Sequence, residues 1–218
     1  MEVIGYGSWK APNSFAGSMQ IDNSYIAAGM EFISEFCEKD DGMYDEVRGY
    51  SRAEHHNDLT CKKAWFCFED EAVLLGAGIT STMNSPVNTI LEHRRLVNDE
   101  TLSQLVKCGG EYTDLPKAEF EKRFKNPEYM LWEGHVGFVF LEDSDIYVSR
   151  YNYTTNKEQP YLEVRAEHGA NPKGGSYAYA VIPYADKAKL ESYSKNPDVV
   201  ILENSDKLQA VRDNTIGV

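Results

Sequence analysis

The stretch Lys63-Ala-Trp-Phe-Cys-Phe-Glu-Asp-Glu-Ala-Val-Leu-Leu-Gly-Ala-Gly-Ile79 decides how this chain is read. Ala64 to Phe68 is short, apolar and aromatic. Glu69, Asp70 and Glu71 interrupt it. Ala72 to Ile79 then resumes as an apolar run with two glycines. The pattern predicts two strands joined by an acidic, solvent-exposed turn. Near-continuous apolar runs mark strands covered on both faces. Trp65, with Phe66 or Phe68, is therefore expected in a core.

Similar signals extend in both directions. Upstream, Pro12-Asn13-Ser14 breaks the chain before apolar segments at Phe15 to Met19 and Tyr25 to Phe36. Glu38 to Glu46 is acidic and reads as a loop, and residues 47–60 are polar. Downstream, Asn84-Ser85-Pro86 is a turn. In Val87 to Leu96, Val87, Thr89 and Leu91 alternate with Asn88, Ile90 and Glu92. Further strands are expected at Tyr129–Trp132, His135–Leu141, Ile146–Tyr153, Tyr161–Glu167, Tyr177–Ile182 and Val199–Leu202, with Leu208–Val211 opening another. Tyr161 to Glu167 sets Leu162, Val164 and Ala166 on one face and charges on the other, as a one-sided sheet face does. Two short helices are expected. One has Asp114 as cap, Pro116 in its first turn and Lys117–Phe124 as its body. The other spans Ala185–Asn196, with Pro197 after it. The class is all-β, an antiparallel β-sandwich with one or two short helices, in a single domain over residues 1–218.

Composition narrows the partners. The 218 residues carry 35 acidic and 22 basic side chains, a net charge of −13. That balance argues against nucleic acid, which needs a basic footprint. No apolar run reaches transmembrane length, so no membrane partner is expected. Met1 to Gly7 has neither the basic nor the apolar region of a signal peptide, so none is expected. The cysteines at 37, 61, 67 and 108 form no CxxC pair and no zinc pattern. Cys67 reads as a buried free thiol.

Several groups could carry chemistry. In Glu92-His93-Arg94-Arg95, strand geometry puts Glu92 and Arg94 on one face and His93 on the other. An acid and arginines beside a histidine suit a sugar carboxylate; the plainer reading is a salt-bridged strand end. His168 precedes Gly169 and a turn at Asn171-Pro172, and serves either chemistry or the turn itself. His55-His56-Asn57-Asp58 is metal-capable, but adjacent histidines on an extended chain point apart, which favours a solvated loop. Asp40, Asp41 and Asp45 lie in an oxygen-rich cluster around Gly42, the kind of ligand set calcium takes; a solvated acidic loop is the alternative. Trp9, Trp132, Tyr151 and Tyr153 suit stacking on sugar rings, although Trp132, flanking a strand, also suits a core. Candidate substrate contacts are thus Glu92, His93, Arg94, Trp132, His168 and Asn171. Candidate metal ligands are Asp40, Asp41 and Asp45, and no organic cofactor is expected.

Six segments, in order, resemble the central β-domain of polysaccharide lyase family 8, which includes the hyaluronate, chondroitin and xanthan lyases. Ser14-Phe-Ala-Gly-Ser-Met19 with Tyr25-Ile-Ala-Ala-Gly-Met30 looks like the family's strand pair after its Pro-Gly-Thr-Thr turn. Lys63 to Ile79 resembles the segment that usually reads Lys-Ser-Trp-Phe, an acidic turn, then Leu-Gly-Ala-Gly-Ile. Asn88-Thr-Ile-Leu-Glu-His-Arg94 resembles Glu-Thr-Thr-Val-Glu-Asn-Arg, with Asn88 and His93 departing from it. His135-Val-Gly-Phe-Val-Phe140, His168-Gly-Ala-Asn-Pro172 with Tyr177-Ala-Tyr179, and Asn196 to Asn204 with Gln209-Ala-Val211 complete the series.

The resemblance implies a sandwich fold and an acidic-polysaccharide partner. Its activity would be β-elimination at uronic acids. It points to a structural role for His168, with the imidazole bonded to backbone, and some relatives bind calcium near the acidic loop. Residues 205–218 would open the family's C-terminal domain. Full members carry the Asn, His, Tyr and Arg of elimination on an α/α toroid that precedes the sheet domain, and no segment of this sequence matches it. The chain is therefore expected to be inactive alone, serving as scaffold or as one wall of a substrate cleft. Self-association or a partner toroid chain is expected to cover its open edges. The alternative is a stand-alone carbohydrate-binding or interaction module. Family members are usually secreted, whereas this sequence displays no export signal, so the compartment stays open.

Overall fold

The computed structural model describes residues 15–21, 24–33, 44–45, 50–51, 58–96, 103–152 and 159–215. In chain order the elements are β1 (Ala16–Ile21), β2 (Tyr25–Ile33), β3 (Tyr44–Asp45), β4 (Tyr50–Ser51), β5 (Thr60–Cys67), β6 (Ala72–Thr80), β7 (Pro86–Arg95), β8 (Gln104–Cys108), β9 (Glu111–Asp114), β10 (Phe120–Lys125), β11 (Pro127–Trp132), β12 (Val136–Phe140), β13 (Asp145–Asn152), β14 (Pro160–Ala170), β15 (Lys173–Pro183), α1 (Lys187–Lys195), β16 (Val199–Asn204) and β17 (Gln209–Asp213). A nine-stranded sheet runs β1-β2-β5-β6-β15-β12-β11-β8-β9, and a four-stranded sheet runs β10-β13-β14-β7. β16–β17 and β3–β4 form separate pairs. All pairings are antiparallel. The fold is an all-β sandwich with a single helix among the described residues, and that helix is too short to cross a membrane.

Two cores lie on opposite faces of the large sheet. Phe124, Ile146, Val148, Leu162 and Val164 of the small sheet meet Val106, Met130, Trp132 and Phe138. On the far side, Leu190 and Tyr193 of α1 and Val199 of β16 cover Val73, Leu75, Tyr129, Val139 and Ile182. β6, β11, β12 and β15 are thus covered on both faces, which is why they read as apolar runs. Within β6, Val73 and Leu75 are fully buried on the helix side, while Leu74 turns to the other core. The helix approaches closely because β12 has a glycine at 137. A Cβ there would lie 2.4 Å from the Leu190 side chain. Asp186 caps α1 by accepting from the Lys189 amide at 2.7 Å.

Five local expectations differ from the structure. Residues 117–124 form no helix; the chain bends and then enters β10, where Phe120 to Lys125 pairs with Arg150 to Asp145. Phe120 and Phe124, four apart, fit either period, and pairing with β13 places Phe124 in the core at 5% exposure. Gln104 to Asp114, given no strand from sequence, forms a hairpin through Gly109 and Gly110, both at positive φ. Trp65 is half-buried rather than enclosed, because β5 lies towards the β1 edge of the large sheet. Glu71 is not exposed like Glu69 and Asp70, but 6% accessible beneath α1. Cys67 is a free thiol, half-buried rather than buried, and Cys61 and Cys108 are free as well.

Candidate functional site

β7 presents its charged end through a bulge. It pairs Glu92 with Val164 but Ile90 with Arg165, so Leu91 is an extra residue. Beyond the bulge Glu92 and Arg94 share the face that looks towards the large sheet. Arg94 Nη2 donates to Glu92 Oε2 at 2.9 Å. The Arg94 guanidinium stands 5.2 Å from the centre of the Trp132 ring. Trp132 is fully buried, and its outer ring face is therefore occupied by the cation. His135 packs against the same indole, with ring centroids 4.8 Å apart. Glu92 also reaches Tyr179, whose hydroxyl is held well above the ordinary tyrosine range, first by burial and then by that carboxylate. The rim is thus a half-exposed ion pair seated on a buried aromatic.

His93 points away. Its Nε2 lies 2.7 Å from the Tyr151 hydroxyl, and its ring stacks on Tyr161 at 5.5 Å. Tyr151 and Tyr161 stack at 5.9 Å. The Glu92–Arg94 tripeptide therefore does not gather acid, base and cation on one side.

His168 and Asn171 form a separate cluster at the other end of β14. Leu162, the partner of Arg94, is six residues from His168, about 20 Å along the strand. His168 Nε2 lies 2.8 Å from Thr89 Oγ1, so its partner is a side chain and not the expected backbone. Burial lowers its pKa, favouring the neutral ring. Asn171, at φ 52°, accepts from the Asn84 amide and donates to Asn84 Oδ1 at 3.2 Å, tying the β14–β15 turn to the β6–β7 turn.

The candidate metal ligands Asp40 and Asp41 lie outside the described residues, and for Asp45 only the backbone, in β3, is described. Among the described residues no group of three or more His, Cys, Asp or Glu side chains could hold a metal. His55, His56, Trp9 and Tyr153 also lie outside them. Asp58 is described and structurally engaged. It accepts from Ser81 Oγ at 2.6 Å and the Thr82 amide at 2.7 Å, bonds that hold its carboxyl below the usual range.

Residues 3–194 match the model of polysaccharide lyase family 8, super-sandwich domain. The chain belongs to polysaccharide lyase family 8. It is 26% identical over 180 residues to xanthan lyase of Bacillus sp. (strain GL1), covering 73% of this chain and 19% of that protein. It is 30% identical over 183 residues to chondroitinase-AC of Pedobacter heparinus, covering 78% of this chain and 25% of that one. The structure of Paenibacillus xanthan lyase superposes with a TM-score of 0.71 at 25% identity, covering 93% of this chain and 19% of its own. The chain thus spans a fifth to a quarter of the length of these relatives.

One feature of the family domain in this chain went unmarked in the sequence. The outer face of the four-stranded sheet carries a linked set of rings and ions. Tyr147 lies between Arg165, 3.8 Å from its ring centre, and Arg123, at 4.9 Å. Both arginines pair with Glu167, and Arg165 also with Glu163 at 2.6 Å. Arg165 Nε has no hydrogen-bond acceptor; the ring beneath the guanidinium takes that place. The alternating charges of Tyr161 to Glu167 were the signal, but sequence alone does not say that arginines from two strands meet over one tyrosine.

Proposed function

We propose that this chain forms sandwich scaffold and cleft wall for a lyase that cleaves uronic-acid-containing polysaccharide by β-elimination, and that the 218 residues alone do not perform the elimination. The observation that carries the reading is the family match over residues 3–194 to the super-sandwich domain. The relatives' names, xanthan lyase and chondroitinase-AC, support an acidic polysaccharide as substrate.

β-Elimination needs a cation on the carboxylate, a base for the C5 proton and an acid for the leaving oxygen. The half-exposed guanidinium of Arg94 is suited to the first role at a cleft wall. With His93 on the opposite face and His168 at the far end of β14, the other two roles fall to another part of the enzyme. The edge strand β1 supports such a partnership, since Met19 and Ile21, and Phe15 just before the strand, are exposed by 60%, 42% and 63%. A toroid chain or a second copy would cover them.

The test is the ultraviolet absorbance of the unsaturated uronate product. The purified chain with hyaluronan, chondroitin or xanthan should give no rise. A rise abolished by His168→Ala would overturn the reading. Light scattering over a concentration series should show association; a strictly monomeric, cooperatively melting species would favour a stand-alone binding module.

A further inference from the structure

The strand register lays out the outer face of the four-stranded sheet as rows. One row is Arg123, Tyr147, Arg165 and Ile90; the next is Glu121, Ser149, Glu163 and His93; Tyr151, Tyr161 and Arg95 follow. Ser149 is the smallest side chain in the middle row, and a depression of about 400 Å³ opens over it. That is within the range of small-ligand sites. Tyr147 and Tyr151 wall it along β13, Glu121 stands on the β10 side, and Glu163 and Arg165 stand on the β14 side.

The lining selects its occupant by chemistry. Glu119, Glu121 and Glu163 outnumber Arg165 on the lining, Arg150 being turned to the inner face beside Phe120 and Leu162, and the chain as a whole carries −13, so an anion is disfavoured. A free cation meets the Arg165 guanidinium, and the described carboxylates form no metal-holding cluster. A protein partner would want an apolar centre, whereas this surface is charged and hydroxylated. A polyol with one apolar face fits this mixed surface. Its hydroxyls donate to the Glu121 and Glu163 carboxylates beside the Arg165 ion pairs, and its C–H face lies along the Tyr151 side chain.

We propose that the outer face of the four-stranded sheet binds a neutral pyranose unit of a polysaccharide in the depression over Ser149, on the side of the small sheet opposite the Glu92–Arg94 rim. This inference does not depend on the elimination reading. A chain that never meets a toroid would still hold a glycan here.

The test is a ¹⁵N-labelled sample of the full chain titrated with cellotetraose, maltotetraose and tetragalacturonate. A neutral tetrasaccharide should produce saturable shifts at the Ser149, Tyr151 and Glu163 amides with Kd of about 1 mM. Tyr151→Ala should weaken it at least about tenfold, a loss of about 1.4 kcal/mol. If that variant fails to fold, the wild-type shift map decides alone. The proposal is overturned if neither neutral sugar saturates, if the shifts centre on Glu92 and Arg94, or if tetragalacturonate binds more tightly than both. Because no turnover is read, failure here leaves the lyase reading intact, and an unexpected elimination activity leaves this site intact.

Discussion

The guanidinium of Arg94 stands 5.2 Å above the ring of Trp132, the largest fully buried side chain of the described core. One residue belongs to the small sheet and the other to the large one, so the pair fastens the two layers where the sandwich meets solvent. Trp132→Ala should cost roughly 3–5 kcal/mol, as removal of a buried aromatic does. Arg94→Ala should cost far less, about 1 kcal/mol, because half of that side chain is in water. Denaturant unfolding of both variants checks the ranking. Equal losses would mean that the arginine, not the indole, holds the layers together.

Helix α1 depends on an absence at position 137. Gly137→Ala would bring a methyl to 2.4 Å from the Leu190 side chain, too close for any neighbour to ignore. Overpacking of this kind costs typically 1–3 kcal/mol. Gly137→Ala should lower the melting temperature. Adding Leu190→Ala, which opens the space, should cost less than the sum of the two single changes. Additive losses would place the strain elsewhere.

How much of this was legible in the sequence differs by element. The central strands were readable because Val73 to Ile79 and Tyr177 to Ile182 are apolar on both faces, which suits few structures other than a covered sheet. Phe120 to Lys125 was misread because two phenylalanines four apart satisfy both periods, and the deciding partner, β13, lies some twenty-five residues away in the chain. The β8–β9 hairpin did carry a signal, Gly109-Gly110 between short strands. For the candidate site, alternation correctly separated His93 from Glu92 and Arg94. It could not say that Arg94 would cover Trp132, since that contact joins different sheets.

A second clasp holds α1 to the same sheet. Glu191 accepts from Lys107 Nζ at 2.8 and 2.7 Å, from the Tyr112 hydroxyl at 2.9 Å and from the Tyr129 hydroxyl at 3.2 Å. Glu191→Gln keeps the shape but removes the charge that Lys107 faces. It should lower the melting temperature, and more so at low salt, because screening already weakens the wild-type pair at high salt. A loss independent of salt would assign the effect to packing.

The acidic turn makes stability depend on pH. Burial, then Asp198 and Asp213, pushes Glu71 up from 4.5 to about 7. Its Oε1 accepts from the Tyr193 hydroxyl at 3.4 Å, and Asp70 and Lys189 pair at 3.1 Å on its exposed flank. A raised carboxyl pKa favours the protonated group in the fold. Its contribution is complete below pH 4.5 and is lost as pH rises to about 7, where the unfolded chain is already ionised. The span corresponds to up to about 3 kcal/mol. Glu191 has the opposite sign. Lys107, Lys195 and Tyr112 hold its carboxyl well below the usual range, so its contribution is present above 4.5 and falls away on acidification. Stability should therefore peak on the mildly acidic side and decline towards neutrality. Glu71→Gln should abolish the neutral-side decline and raise the melting temperature at pH 7.5, while leaving the acid limb in place. A variant that melts lower than wild type at pH 7.5, with the decline unchanged, would show that Glu71 is ionised and satisfied in the fold.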